Sequence, residues 1–114
     1  MSDWERVEAE AAAIIGGRPL QYDGATRQNL AELIRLIRAT GRPPPLLSPG
    51  YWPTFCATWE IEGSKTLEIE VFDDRYEIYR FFDGKTDISH EYHKPGEPMS
   101  SAFLRELPNP IDGA

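Results

Sequence analysis

The sequence predicts an α+β domain in which two N-terminal helices pack on one face of a four-stranded antiparallel meander. Three observations carry this prediction. Apolar residues recur at helical spacing as far as residue 41, a proline cluster then occupies 42–53, and from Thr54 to His93 the period switches to two. At 114 residues the chain is long enough for one hydrophobic core and too short for two, so 1–114 reads as a single domain.

The first helix is expected from about Asp3 to Ile15. Ser2 and Glu5 have the spacing of a capping box, in which each side chain satisfies a free backbone N–H of the other residue. Trp4, Val7, Ala11 and Ile14 form its apolar stripe, and Gly16-Gly17 ends it. The second helix is expected from about Ala25 to Thr40, with Leu30, Leu33, Ile34 and Ile37 at i, i+3, i+4 and i+7 and Gly41 and Pro43 beyond its end.

The segment "RPPPLLSPGYWP" predicts a stiff extended crossover, because each proline fixes its own φ and turns the preceding residue away from the helical region. Strict P-x-x-P spacing is missing, which removes the main argument for a ligand of SH3-type domains. The sheet then follows as four strands: "TFCATWEIE", "TLEIEV", "YEIYRFF" and "TDISHEYH". Asp83-Gly84 is a hairpin signal between the last two. In the tail, residues 94–114, a helical turn is expected near Ser101 to Leu107, followed by a frayed end.

Register follows from keeping apolar side chains together, since a slip of one residue reverses the face of a whole strand. An odd loop at Gly63-Ser64-Lys65 pairs Trp59 with Ile69, Ile61 with Leu67 and Glu60 with Glu68. A three-residue loop at Asp73-Asp74-Arg75 sets Tyr79 beside Ile69 and Arg80 across from Glu68. The Asp83-Gly84 turn pairs Tyr79 with Ile88 and Arg80 with Asp87. This arrangement directs Tyr79, Phe81, Ile88 and Tyr92 inward, with His90 as a hydrogen-bonded core residue. The outer face then carries Glu60, Glu62, Glu68 and Glu70, with Arg80 among them and Phe72, Tyr76, Ile78 and Phe82 alongside. Two readings of that face stay open: a solvated antiparallel face, or a surface for a basic partner.

Charge distribution bears on the choice. The net charge is −7, yet residues 1–50 carry six acids and six arginines, so the excess lies in 51–114, with thirteen acids against six bases. Direct binding to nucleic-acid phosphates or to an anionic membrane has the wrong Coulombic sign there, whereas a basic protein surface has the right one. No apolar run approaches transmembrane length and the start "MSDWERVEAE" lacks the pattern of a signal peptide, so a cytoplasmic protein is expected. A single cysteine, Cys56, agrees with a reducing compartment and excludes an internal disulfide.

Catalytic signals are sparse. In "HEYH" the two histidines are three apart and on a strand point to opposite faces, so they cannot share a metal. Asp87, Glu91 and His93 do share a face and are the residues a small metal-dependent enzyme would use. Cys56 has no neighbouring base, and "GSK" lacks phosphate-loop spacing and lies in a hairpin. No cofactor is expected.

The stretch from "RPPPLLSP" through "TFCATWEIEGSKTLEIEVFDDRYEIY" resembles small bacterial accessory proteins associated with toxin–antitoxin or mobile-element neighbourhoods. Pro43, Pro45, Pro49, Trp59 and the "LEIEV" of Leu67–Val71 carry the similarity. The resemblance implies a bacterial or phage accessory protein and no catalytic residues. The expectation is therefore a non-enzymatic binding domain of antitoxin, immunity or inhibitor type. Its partner would be a nuclease, a toxin or a nucleic-acid-binding complex, and a homodimer built on the aromatic cluster is the structural alternative.

Overall fold

A computed structural model describes residues 2–18 and 21–110. Helix α1 (Asp3–Gly17) begins with the expected capping box: the Ser2 hydroxyl accepts from the Glu5 N–H and the Glu5 carboxylate accepts from the Ser2 N–H. Helix α2 (Gly24–Ala39) is capped by Asp23, whose carboxylate accepts from the Thr26 N–H at 2.8 Å. It ends in a Schellman motif, in which Arg42 N–H bonds to the Ile37 carbonyl and Gly41 N–H to that of Arg38, with Gly41 at φ 70°.

One antiparallel sheet follows in chain order: β1 (Leu46–Pro49), β2 (Phe55–Glu62), β3 (Lys65–Val71), β4 (Arg75–Phe82) and β5 (Lys85–Tyr92). A third helix, α3 (Ser101–Glu106), lies in the tail. The α+β class and the antiparallel meander hold, but the described residues form five strands where four are expected. The additional strand lies inside the proline-rich crossover. The extended backbone that proline enforces is also an edge-strand backbone, where a missing N–H costs nothing, and Pro49 sits opposite Phe55 on that edge.

Both helices cover one face of the sheet. Val7 of α1 and Leu30, Leu33 and Ile37 of α2 are fully buried against Phe55, Ala57, Trp59, Leu67, Ile69 and Val71. Tyr22 stacks on Phe55 with ring centroids 4.3 Å apart, and Trp59 Nε1–H donates to the Pro43 carbonyl at 2.8 Å, fastening the crossover to the sheet. On the second half of the sheet the cover is α3, whose Phe103 lies 5.2 Å from Tyr76.

Two expected registers are corrected. Trp59 pairs with Leu67 and Ala57 with Ile69, so Glu60 faces Thr66 and Thr58 faces Glu68. The turn is the two-residue Gly63-Ser64 that face consistency argues against, and a bulge between Glu60 and Glu62 resolves the conflict. Ile61 is the extra residue, half exposed, so the strand keeps its apolar face up to Trp59 and loses it only at the tip.

The second correction reverses a face. Val71 pairs with Tyr76, Ile69 with Ile78 and Glu68 with Tyr79, because Phe72 N–H bonds to the Arg75 carbonyl and closes a turn at Asp73-Asp74. The odd loop Asp73-Asp74-Arg75 is thus replaced by an even one. Tyr76 and Ile78 are buried under the helices, while Tyr79 and Phe81 go to the other side. The last hairpin has the expected pairs, Tyr79 with Ile88 and Arg80 with Asp87, through a type I′ turn with Asp83 at φ 53° and Gly84 at φ 79°. It inherits the reversed face from β4, so Ile88, His90 and Tyr92 are exposed and His90 is no core residue.

Candidate protein-binding face

The face away from the helices is assembled row by row from these pairings. Cys56, Glu70, Glu77 and His90 form one row, Thr58, Glu68, Tyr79 and Ile88 the next, and Glu60, Thr66, Phe81 and Thr86 the third. Arg75 and Tyr92 close the far end. Of the residues expected on this face, Glu60, Glu68 and Glu70 lie there. Glu62 sits at the hairpin tip opposite Lys65, beyond the bulge that takes it out of the row.

The others lie elsewhere. Tyr76 is wholly buried on the helix side, where its hydroxyl donates to the Asn29 carbonyl at 2.7 Å. Arg80 is also on that side, ion-paired with Glu106 of α3. Phe72 lies in the turn before β4, with the Arg75 guanidinium 3.9 Å from its ring centre. Phe82 falls at the end of β4 with the parity of the covered side. The alignment of Glu60, Glu68 and Arg80 across three strands does not occur, since the even turn moves Arg80 through the sheet.

In their place the structure brings Tyr79, Phe81, Ile88 and Tyr92 onto the open face, and three of these are well exposed: Phe81 at 39%, Ile88 at 65% and Tyr92 at 74%. Tyr79 and Phe81 lie parallel with centroids 6.3 Å apart, and His90 meets Tyr92 edge-on at 4.8 Å. The missed signal is in "YEIYRFF", which holds apolar side chains at both parities. Only the Asp-Asp turn distinguishes them.

The carboxylates differ sharply in environment. Glu60 is exposed, and Glu68 is half-buried and accepts a 3.4 Å hydrogen bond from the Thr58 hydroxyl. Glu77 is tied down: Arg75 Nε–H donates to it at 2.9 Å and the Tyr79 hydroxyl at 2.6 Å. Burial raises its pKa, but those two hydrogen bonds and the Arg75 and His90 charges outweigh burial and hold the carboxyl below its ordinary value. Glu70 is buried at 5% exposure and accepts from the Thr54 hydroxyl at 2.6 Å. Gly50 makes room for this contact, because a Cβ there would lie 1.9 Å from the Thr54 Oγ1 and 3.0 Å from the Glu70 Oε2.

Cys56, next to Glu70, is buried, and desolvation followed by the charges of Glu68 and Glu70 pushes its thiol up to about 12. Asp87, Glu91 and His93 are distributed rather than gathered. Glu91 accepts from the Ser100 N–H and hydroxyl, and buried His93 bonds through Nε2 to Glu32 at 2.9 Å. Among the described residues no group of three His, Cys, Asp or Glu side chains is arranged to hold a metal ion, and no helix is long and apolar enough to cross a membrane.

No protein-family model, curated protein or solved structure matches this chain.

Proposed function

We propose that this chain is a non-enzymatic protein-binding module of antitoxin, immunity or inhibitor type, and that its open sheet face covers a basic surface on a partner protein. The observation that carries the reading is the exposure of Phe81, Ile88 and Tyr92 on the same face as Glu60 and Glu68. Scattered exposed apolar residues are ordinary, whereas Phe81 and Ile88 in adjacent rows with Glu60 and Glu68, and Tyr92 further along β5, suit a surface that becomes desolvated on binding. Tyr79, Phe81, Ile88 and Tyr92 supply the contact area, and Glu60 and Glu68 steer a cationic partner into place. A nuclease, a toxin or the nucleic-acid groove of a larger complex has the required charge, and the acidic excess of residues 51–114 disfavours nucleic acid itself.

The test compares the immobilised chain with a Glu60→Lys, Glu68→Lys, Tyr92→Ala variant in extracts of the source organism, with captured proteins quantified by mass spectrometry. A basic protein retained by the first and lost from the second is then purified and its affinity measured against ionic strength. The expected result is a steep fall in affinity with salt that the variant flattens. Equal affinity and equal salt slope for the two chains overturn the proposal.

A further inference from the structure

The two edges of the sheet are built differently. The β1 edge is four residues long, follows Pro45 and ends on Pro49, and has its Leu47 N–H bonded to the Glu10 carboxylate at 3.2 Å. Arg6 completes the closure, donating to Glu10 at 2.7 Å and to the Pro45 carbonyl at 3.2 Å. Short length, prolines and a covering helix are the devices that keep an edge from pairing with another chain.

Strand β5 has none of them. It is eight residues long, contains no proline, and is last in the sheet. The two-residue type I′ turn makes Phe82–Lys85, Arg80–Asp87 and Ile78–Ser89 the hydrogen-bonded pairs, so the N–H and C=O groups of Thr86, Ile88, His90 and Tyr92 point away from β4. All four of these residues are exposed.

We propose that β5 pairs antiparallel with β5 of a second copy across a two-fold axis at Ile88. The choice of axis follows from charge. Outward-pointing groups must meet one another, which restricts the axis to a few positions along the strand. Centring on Asp87 sets that carboxylate against its own copy, and centring on Ser89 sets Asp87 against Glu91. Centring on His90 sets Lys85 opposite Pro95 of the partner subunit, beyond the end of the strand, and leaves Glu91 opposite Ser89 of the partner subunit with no countercharge.

Centring on Ile88 pairs Thr86 with His90 of the partner subunit and Asp87 with Ser89 of the partner subunit. It also sets Lys85 opposite Glu91 of the partner subunit, at the closer, non-hydrogen-bonded positions of the ladder. Two five-stranded sheets join into one, and the two Ile88 side chains meet at the axis on the shared open face. This inference does not depend on the partner-binding reading, since pairing at the edge leaves that face uncovered.

Sedimentation of the full chain over a wide concentration series tests it, together with Ile88→Pro, which removes an edge N–H, and single Thr86→Cys, Ile88→Cys and His90→Cys variants. The expected results are a concentration-dependent dimer, its loss in Ile88→Pro with the far-ultraviolet spectrum retained, and disulfide cross-linking fastest at Ile88→Cys. A wild-type chain that stays monomeric throughout, or an Ile88→Pro chain that still dimerises, overturns the proposal. Should Ile88→Pro misfold, the cysteine variants decide: equal cross-linking at all three positions, or fastest cross-linking at Thr86→Cys or His90→Cys, rejects the Ile88 axis.

Discussion

Tyr76 and Ile78, and Tyr79 and Phe81, come from a single strand and are chemically alike, yet they end on opposite sides of the sheet. The first pair is sealed beneath the helices: Tyr76 contacts Phe103 and His93, and Ile78 opposes Ile69. The second pair lies on the open side with Ile88 and Tyr92. Hydrophobicity did not sort them. The turn at Asp73-Asp74 did, because it fixes which parity meets Val71, and every residue downstream follows.

The largest way to break this comparison is truncation on each side of the strand. Tyr76→Ala is expected to cost about 3–5 kcal/mol, the range for emptying a filled aromatic site, and it also removes the donor to the Asn29 carbonyl. Phe81→Ala is expected to cost about 1 kcal/mol or less, as befits an exposed side chain. Urea unfolding of the two variants measures both, and a larger loss for Phe81→Ala than for Tyr76→Ala would mean that β4 faces the other way.

Acid stability is the next lever, and it acts on both sides. Burial raises the Glu32 pKa, but hydrogen bonds from His93 and the Gly96 N–H, with the His93 charge, bring it below the ordinary 4.5. Glu77 is lowered likewise on the open side. For both carboxyls the folded pKa lies below the unfolded one, so their contribution is complete above the unfolded value and is lost as pH falls through the folded value. Glu32→Gln and Glu77→Gln should each flatten the decline in unfolding free energy between about pH 6 and pH 3. Curves parallel to wild type would show that these carboxylates are not held in the folded state.

The smallest effect sharpens the comparison within the open face itself. Cys56 shares a row with Glu70 and Glu77, yet its thiol is buried and raised to about 12. A thiol reagent should label it at mildly alkaline pH only as fast as the chain unfolds. Rapid labelling of the native chain would place Cys56 on an accessible surface.

Where the sequence was legible, local chemistry was strong. The Ser2–Glu5 box, the Leu30–Leu33–Ile37 stripe and the Asp83-Gly84 turn each left one reading, and each corresponds to what the structure contains. Ambiguity arose where two physical solutions satisfy the same pattern. An odd loop and an even loop with a bulged Ile61 both keep Trp59 inward, and "YEIYRFF" can bury either parity. The acidic half of the candidate face was therefore legible through Glu60, Glu68 and Glu70, while its apolar half was read on the wrong side of β4. The edge strand at Leu46–Pro49 was hidden because prolines argue for extension without saying whether a neighbour will pair.

The anchoring of α3 decides how much of the sheet stays covered. Arg80 grips Glu106, Glu91 holds Ser100, and Phe103 closes over Tyr76, so the residues after the last strand roof the half of the sheet that α1 and α2 do not cover. A chain cut after His93 would keep every strand and both long helices, but Tyr76 and Ile78 would lose part of their roof while Phe81 and Ile88 stayed bare behind them. Strand β4 would then carry apolar side chains on both surfaces, next to the open edge of β5. In this fold the C-terminal segment separates a sheet with one sticky side from one with two.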